Sequence, residues 1–311
     1  MLKIENWQLQ QMQGLSLEEK IIKSKMRIRE WYDHWLGGVY VSFSGGKDST
    51  VLLDLVRQDY PHVEAVFADT GLEYPEIREF VKSIDNVTWI RPKMGFKEVI
   101  EKKGYPVVSK QQCQYIRECK TTKSSYLRNL RLYGTEKGKA GKISEKWKKL
   151  IDAPFEISEQ CCNVMKKRPF AIYEKESEKK PFIGTMAEES LFRKSHYLKN
   201  GCNAFNKNKP SSQPISFWKE QDILLYIKKH NIPYSNVYGE IKEDDNIFYT
   251  TGESRTGCMF CMFGVHMEKH PNRFQRMKTS HPKQYDYCMK STEKGGLGLS
   301  EVLDYIGVDY K

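Results

Sequence analysis

The stretch that most constrains this chain is residues 39–53, Val-Tyr-Val-Ser-Phe-Ser-Gly-Gly-Lys-Asp-Ser-Thr-Val-Leu-Leu. A β-branched and aromatic run, a glycine pair and a helix opening on Asp48, Ser49 and Thr50 read as strand, tight turn and helix. Gly45 and Gly46 let the backbone approach a ligand where a Cβ would obstruct it. The amides and positive dipole end of the following helix favour phosphate there. Lys47 adds a mobile charge, and Ser44, Ser49 and Thr50 add hydroxyls, so residues 44–50 read as a phosphate site. A Walker A loop would carry glycine at Val41 and serine or threonine at Asp48, which excludes that motif.

Strand and helix signals then alternate. Residues 63–68 read as a strand ended by Asp69-Thr70-Gly71, Pro75 starts a helix through Ser83, and residues 87–90 read as a third strand. This spacing predicts an α/β fold with a doubly wound, mainly parallel sheet and its ligand at the strand C-terminal edge. Asp69 sits at that edge, where it could fix a ribose, a metal or an adenine, or merely cap the turn. Residues 182–185 read as a fourth strand. Arg193 lies one helical turn beyond Glu189, which allows a solvent-face ion pair; the reading preferred here places it on a nucleotide phosphate or an anionic substrate. Upstream, Ser16 to Glu19 form a capping box, and Ile21, Met26, Ile28 and Trp31 continue a helix to Gly37. That helix is expected to pack on the sheet or on a second subunit, which leaves a homodimer open. Residues 214–227 read as a capped amphipathic helix ending before Pro233.

Charge is unevenly placed. The 311-residue chain carries a formal net charge of +11, and residues 102–149 hold 14 Lys and Arg against 3 acids, leaving 37 of each elsewhere. The whole excess therefore lies in one stretch, which argues for a polyanionic partner near it. Tyr105, Tyr115, Tyr126, Tyr133 and Trp147 interleave with its cations, a mixture that suits base stacking or an ordinary small helical core. Residues 134–141 read as a mobile loop. Apolar content of 39% and charged content of 29% describe a soluble protein. With no membrane-length apolar run and no signal-peptide core at the N-terminus, the expectation is a cytoplasmic protein.

Eight cysteines without an export signal are expected as ligands or reactive thiols rather than disulfides. Cys161 and Cys162 are adjacent, and Cys258 and Cys261 form a CxxC. Two such pairs make a four-thiolate site for Zn²⁺ or an iron–sulfur cluster; a redox pair and buried packing are the alternatives. Spacing leaves zinc and iron undivided, and leaves Cys113, Cys119, Cys202 and Cys288 unassigned.

The string Ser44-Gly45-Gly46-Lys47-Asp48-Ser49 resembles the pyrophosphate (PP) loop of the ATP pyrophosphatase superfamily. The segment beginning Cys161-Cys162-Asn163, the Arg255-Thr256-Gly257-Cys258-Met259-Phe260-Cys261 segment, Asp69-Thr70-Gly71 and the stretches 184–193 and 214–238 are similar to the phosphoadenylyl-sulfate (PAPS) and adenylyl-sulfate reductase branch. This resemblance implies that Ser44, Gly45, Gly46, Lys47, Asp48, Ser49, Thr50, Asp69 and Gly184 bind ATP or another adenylyl nucleotide, with Mg²⁺. It implies catalytic parts for Lys47, Asp48 and Arg193, and a [4Fe–4S] cluster on Cys161, Cys162, Cys258 and Cys261. A domain over residues 38–262 is expected, with a basic, largely helical insertion at about 102–150, a helical extension at 1–37 and a helical tail at 263–311. The reductases' Glu-Cys-Gly-Leu/Ile-His segment is not matched; the last cysteine is Cys288. The expectation is therefore an adenylating sulfur-transfer enzyme that takes a sulfur or electron donor and an anionic acceptor, with tRNA or DNA docking on 102–149. A PAPS or adenylyl-sulfate reductase using Cys288 or another thiol, and a zinc-stabilised nucleotide- and nucleic-acid-binding module, are the rivals.

Overall fold

The computed structural model describes residues 4–135, 138 and 140–311. In chain order the strands are β1 (Val39–Phe43), β2 (Ala65–Ala68), β3 (Val87–Ile90), β4 (Val107–Val108), β5 (Lys180–Ile183), β6 (Asn203–Ala204), β7 (Ser211–Ser212), β8 (Ile241–Asp244), β9 (Ile247–Thr250) and β10 (Met262–Phe263). Six of them form one sheet in the order β3-β2-β1-β5-β7-β6, parallel throughout except for the β6–β7 pair. Val41 at its centre faces Ala65 on one side and Phe182 on the other. The chain thus steps outward from β1 to β3, then returns to lay β5 against the free side of β1. That reversal is the topological switch point at which sheets of this class open a ligand crevice. The doubly wound, mainly parallel sheet expected from sequence is the one observed, with β2 starting two residues later than expected.

The chain divides into two compact units. One comprises Met1–Asp69, Glu73–Arg91 and Pro169–Thr256; the other Thr70–Leu72, Pro92–Arg168 and Gly257–Lys311. In the first, Val41, Phe43, Val51, Leu52, Leu55, Val56, Phe67 and Phe182 are all buried. Burial of each such side chain contributes about 1.5–3 kcal/mol, more than an exposed ion pair at roughly 0–1 kcal/mol. The sheet core, not the surface charge, therefore holds the loop after β1 in place.

Two helix expectations need correction in this unit. The capping box holds, with Ser16 Oγ accepting from the Glu19 amide at 3.3 Å and Glu19 accepting from the Ser16 amide at 2.9 Å. The buried face of helix Leu17–His34 is nevertheless Leu17, Lys20, Ser24, Ile28 and Trp31, and Met26 is 53% exposed. Two polar residues replace Ile21 and Met26 on that face because each is satisfied. Lys20 Nζ lies 2.7 Å from Asp222, while Ser24 Oγ donates to the Pro214 carbonyl and accepts from Trp218 Nε1. Further on, the amphipathic helix begins at Glu220, not at 214, and ends on left-handed Asn231 before Pro233. Its N-terminal amide at Lys219 is capped at 2.7 Å by Asp222, while residues 214–218 turn to bury Ile215, Phe217 and Trp218.

In the second unit β4 pairs in parallel with β10, and Ile116, Ile143, Trp147 and Leu150 are buried. Helices Lys110–Thr121 and Ser125–Tyr133 and the 3-10 helix Glu145–Asp152 make most of the basic stretch helical, as expected. Much of its charge is used internally: Arg117 pairs with Glu159, Lys120 with Glu156, Arg131 with Glu118, and Lys142 and Lys148 with Glu145. The expected loop at 134–141 lies partly outside the described residues, as do residues 1–3. Among the described residues no helix is long and apolar enough to cross a membrane.

Candidate phosphate site and thiol centre

The loop after β1 turns on Gly45, whose φ of +70° is a left-handed conformation that favours glycine. A Cβ there would stand 2.8 Å from methyl groups of both Ile77 and Val81. The helix Lys47–Asp59 follows at once, leaving its first amides without intrahelical partners. Two of the hydroxyls brace the loop. Ser49 Oγ donates to the Gly46 carbonyl at 2.9 Å and accepts from the Ser44 amide at 3.2 Å, while Thr50 Oγ1 donates to the same carbonyl at 3.0 Å. Only Ser44 of the three is exposed. Gly184, leaving β5, sits where a Cβ would meet Ser49 Cα at 3.1 Å, so it lets that strand end lie against the start of the helix.

Lys47 is buried, and its ammonium is 2.9 Å from Glu220 and 2.6 Å from the Ser254 carbonyl. A buried ammonium requires such partners. Tyr238 Oη accepts from the Lys47 amide at 3.3 Å and lies 2.6 Å from Thr256 Oγ1. Burial pushes the carboxyl of Asp48 above its ordinary range, aided by Glu220 and opposed by Lys47, Arg255 and Arg193. Its Oδ1 is buried with no hydrogen-bond partner among the described residues, which fits a divalent cation or a hydroxyl donor.

Arg193 makes the ion pair with Glu189 that its spacing allows, but not on a free solvent face. Glu189 is only 11% exposed and also holds Arg255 at 3.0 Å. One carboxylate thus gathers two guanidinium groups whose fields reach Asp48. Asp69 is buried between Arg78 at 3.0 Å and Arg91 at 3.2 Å, both from its own unit. Arg255, Glu220 and Tyr238 were missed by sequence reasoning. They come from residues far along the chain; Glu220 and Tyr238 lie in the stretch 214–238 and Arg255 opens the segment before the CxxC, but their side chains reach Lys47 and Glu189 only through the fold.

In the second unit, Cys161, Cys162, Cys258 and Cys261 line one cavity together with Leu72, Phe96 and Met165. The Sγ atoms of Cys161 and Cys162 are 3.9 Å apart. The hydrogen bond from Cys161 lowers the Cys162 thiol, helped by Lys110 and Lys166, and the same bond with burial pushes Cys161 up. Burial also raises Cys261, whose carbonyl accepts from Arg273 Nη1 at 2.9 Å. Four thiols in two pairs around one cavity fit a four-thiolate group in donor kind and number. Among the described residues no three His, Cys, Asp or Glu side chains are grouped so as to hold a metal ion. The donor set fits; a finished ligand geometry is not present.

The remaining cysteines are packed. Cys113 is buried with its thiol donating to the Val107 carbonyl at 2.7 Å and is pushed up to about 12 by burial. Cys202, beside Ser216, is pushed up to about 11. Cys288 is wholly buried, donates to the Tyr285 carbonyl at 3.3 Å and is pushed up to about 12. As placed, Cys288 lacks the exposure and thiolate character of a nucleophile.

A family model described as phosphoadenosine phosphosulfate reductase domain matches residues 38–132 and 108–262. An uncharacterised protein of Methanocaldococcus jannaschii is 24% identical over 294 residues, covering 92% of this chain but only 56% of that protein. The adenosine 5'-phosphosulfate reductase of Lysinibacillus sphaericus is 22% identical over 224 residues, covering 71% of this chain and 77% of that one. A crystal structure of PAPS reductase from Candida auris in a phosphate complex aligns at TM-score 0.41 and 15% identity, covering 79% of this chain and 98% of that one.

Proposed function

The chain belongs to the phosphoadenosine phosphosulfate reductase family, and from that premise we propose that it is an ATP-dependent enzyme of sulfur chemistry that adenylates an anionic acceptor. The observation carrying this reading is the concentration of charge around Asp48: Lys47, Arg193 and Arg255 beside a carboxylate whose Oδ1 is buried without a partner. Three cations and a free ligand oxygen suit a triphosphate with Mg²⁺ better than a nucleotide bearing a single phosphate. Lys47 would exchange Glu220 for a phosphate oxygen. Arg193 and Arg255, positioned by Glu189, would neutralise charge on the departing pyrophosphate. Asp48 Oδ1 would hold the cation, and Ser44 with the loop amides would orient the phosphates. An acceptor oxygen would attack the α-phosphorus, the bond to the β-phosphate oxygen would break, and pyrophosphate would leave.

Cys161, Cys162, Cys258 and Cys261 would hold a [4Fe–4S] cluster, which supplies one-electron redox chemistry or a place to carry sulfur. A persulfide donor would then attack the adenylated carbon through its terminal sulfur and expel AMP, and a second thiol would cleave the remaining S–S bond, leaving the sulfur on the acceptor and the donor as a disulfide. The deciding experiment is release of AMP and pyrophosphate from α-labelled ATP by anaerobically purified protein, with and without tRNA and DNA. Release stimulated by an acceptor supports the reading, and no release under any condition removes it.

The name of the Lysinibacillus relative favours a second reading, reduction of adenylyl sulfate or PAPS to sulfite. Sulfite formation with a thiol donor would establish it. Cys288 is a poor candidate for the thiol that takes the sulfonate, because it is buried and its thiol stays protonated.

A further inference from the structure

A second cleft of about 640 Å³ opens in the Thr70–Leu72, Pro92–Arg168, Gly257–Lys311 unit, with Cys162 in its wall. Its volume falls within the roughly 300–1,000 Å³ of small-ligand sites. Its lining is unlike the neighbouring thiol cavity, because it is built from amides, cations and one aromatic ring.

Two of its charged groups are already neutralised. Glu159 is held by both Nε and Nη2 of Arg117, and Arg131 is held by Glu118 and by the Gly141 carbonyl at 2.8 Å. So fixed, the Arg131 guanidinium lies 4.0 Å over the Tyr115 ring, a rigid flat pair. Two lysines remain. Lys110, at the start of helix Lys110–Thr121, interacts with the Cys162 thiol and helps to lower it, and Lys167 is exposed. The amides of Gln160 and Asn163 make no side-chain hydrogen bond among the described residues and are free to read donor and acceptor edges.

The backbone supplies an independent sign. Immediately after Cys162 the chain forms a π-helical turn, Asn163–Lys167, closed by the Arg168 amide on the Asn163 carbonyl. Such turns are rare, occur mostly as single turns inside α-helices, and are frequent at functional sites. Here the wider turn carries both Asn163 and Lys167 to the cleft.

We propose that this cleft takes up one unpaired nucleotide of a single-stranded nucleic acid, with its base on the Tyr115–Arg131 pair and its phosphates at Lys110 and Lys167. The base edge is read by Gln160 and Asn163, and the base lies beside the Cys162 thiol. Flat stacking, amide readout, the exposed Lys167 and a Lys110 whose present partner is the Cys162 thiol together are the chemistry of an unstacked nucleotide. A bare inorganic anion would use the lysines alone. The identification rests on the acceptor role proposed above, and names its chemical class.

The test is binding of the full-length protein to short fluorescent single-stranded RNA and DNA without ATP, against the same sequences as duplex, free mononucleotide and inorganic sulfate. Single strands are expected to bind and duplex not. Tyr115→Ala and the exposed Lys167→Glu are each expected to weaken binding about tenfold or more, while Lys123→Glu, in the same basic stretch but outside the cleft, leaves it within about twofold. Asn163→Asp, a surface change that spares folding, should alter base preference before affinity. An equal loss from Lys123→Glu would overturn the proposal in favour of diffuse electrostatic docking. Sulfate competing as well as nucleotide, or no binding at all, would overturn it too. Because ATP is absent, single-strand binding without AMP release would sink the adenylation reading alone, and AMP release with unaltered binding in the Tyr115 and Lys167 variants would sink this one alone.

Discussion

Lys47 and Glu220 are joined at 2.9 Å although the lysine side chain is 5% exposed and the carboxylate 48% exposed. The buried partner is the one expected to meet phosphate, and the exposed one must leave for that to happen. Glu220→Gln is therefore expected to tighten nucleotide binding two- to fivefold, and Lys47→Ala to weaken it at least tenfold. Calorimetric titration with a non-hydrolysable ATP analogue reads both. Weaker binding in Glu220→Gln would mean that the carboxylate helps to hold the ligand.

Replacing Gly45 by alanine places a Cβ at a left-handed position 2.8 Å from two methyl groups. A destabilisation of about 2–4 kcal/mol is expected from strain and overpacking together, measurable by urea denaturation. Gly71 also has positive φ, +73°, but a Cβ there meets nothing within 4 Å, so Gly71→Ala should cost only about 1 kcal/mol of backbone strain.

Asp48 gives a pH signature. Its folded-state pKa is raised by burial, so the folded chain binds this proton more tightly than the unfolded chain, whose value is about 3.9. The associated stability is present below that value and is lost as pH rises through the raised folded value. Asp48→Asn should match the wild type in acid and become the more stable protein toward neutrality when nucleotide is absent. In the nucleotide-bound protein the same substitution should reduce the stabilisation conferred by Mg²⁺. Thermal melts across pH, with and without ATP and Mg²⁺, separate the two effects.

Anaerobically purified protein is expected to be brown and to carry iron and acid-labile sulfide in equal amounts, and Cys258→Ser should lose most of both. Colourless protein with one zinc per chain would instead favour a structural thiolate site.

Thiol labelling of the folded chain stripped of metal should mark Cys162, Cys258 and Cys261, which are partly exposed, and spare Cys113, Cys119, Cys202 and Cys288, which are buried. Rapid modification of Cys288 in native protein would reopen the reductase reading that employs it.

The parts legible in the sequence were those fixed by neighbours along the chain. The strand, glycine turn and helix around Gly45 declare themselves within fifteen residues, and so does the capping box at Ser16. What escaped depends on distant partners. Lys20 reads as a surface residue until Asp222 is brought to it, and Met26 reads as core until that pairing sets the helix's rotation. Residues 214–218 carry a helical pattern but spend their apolar side chains on a buried turn. Arg255 adjoins the CxxC segment in sequence, yet its ion pair is with Glu189, 66 residues earlier. The pairing of Arg193 with Glu189, set second to a phosphate contact in the sequence reading, was foreseeable from spacing alone.

Neither compact unit is a continuous length of chain; each is assembled from three separated pieces. No single cut can therefore release either one whole. Trimming at Gly257 would strip two of the four paired thiols from their unit while leaving Pro92–Arg168 attached without its C-terminal complement. Genetic dissection has to excise Pro92–Arg168 and Gly257–Lys311 together, joining Arg91 to Pro169, if the phosphate loop is to be studied alone. By the same logic, duplication or exchange of one unit between relatives requires coordinated change at two places in the gene.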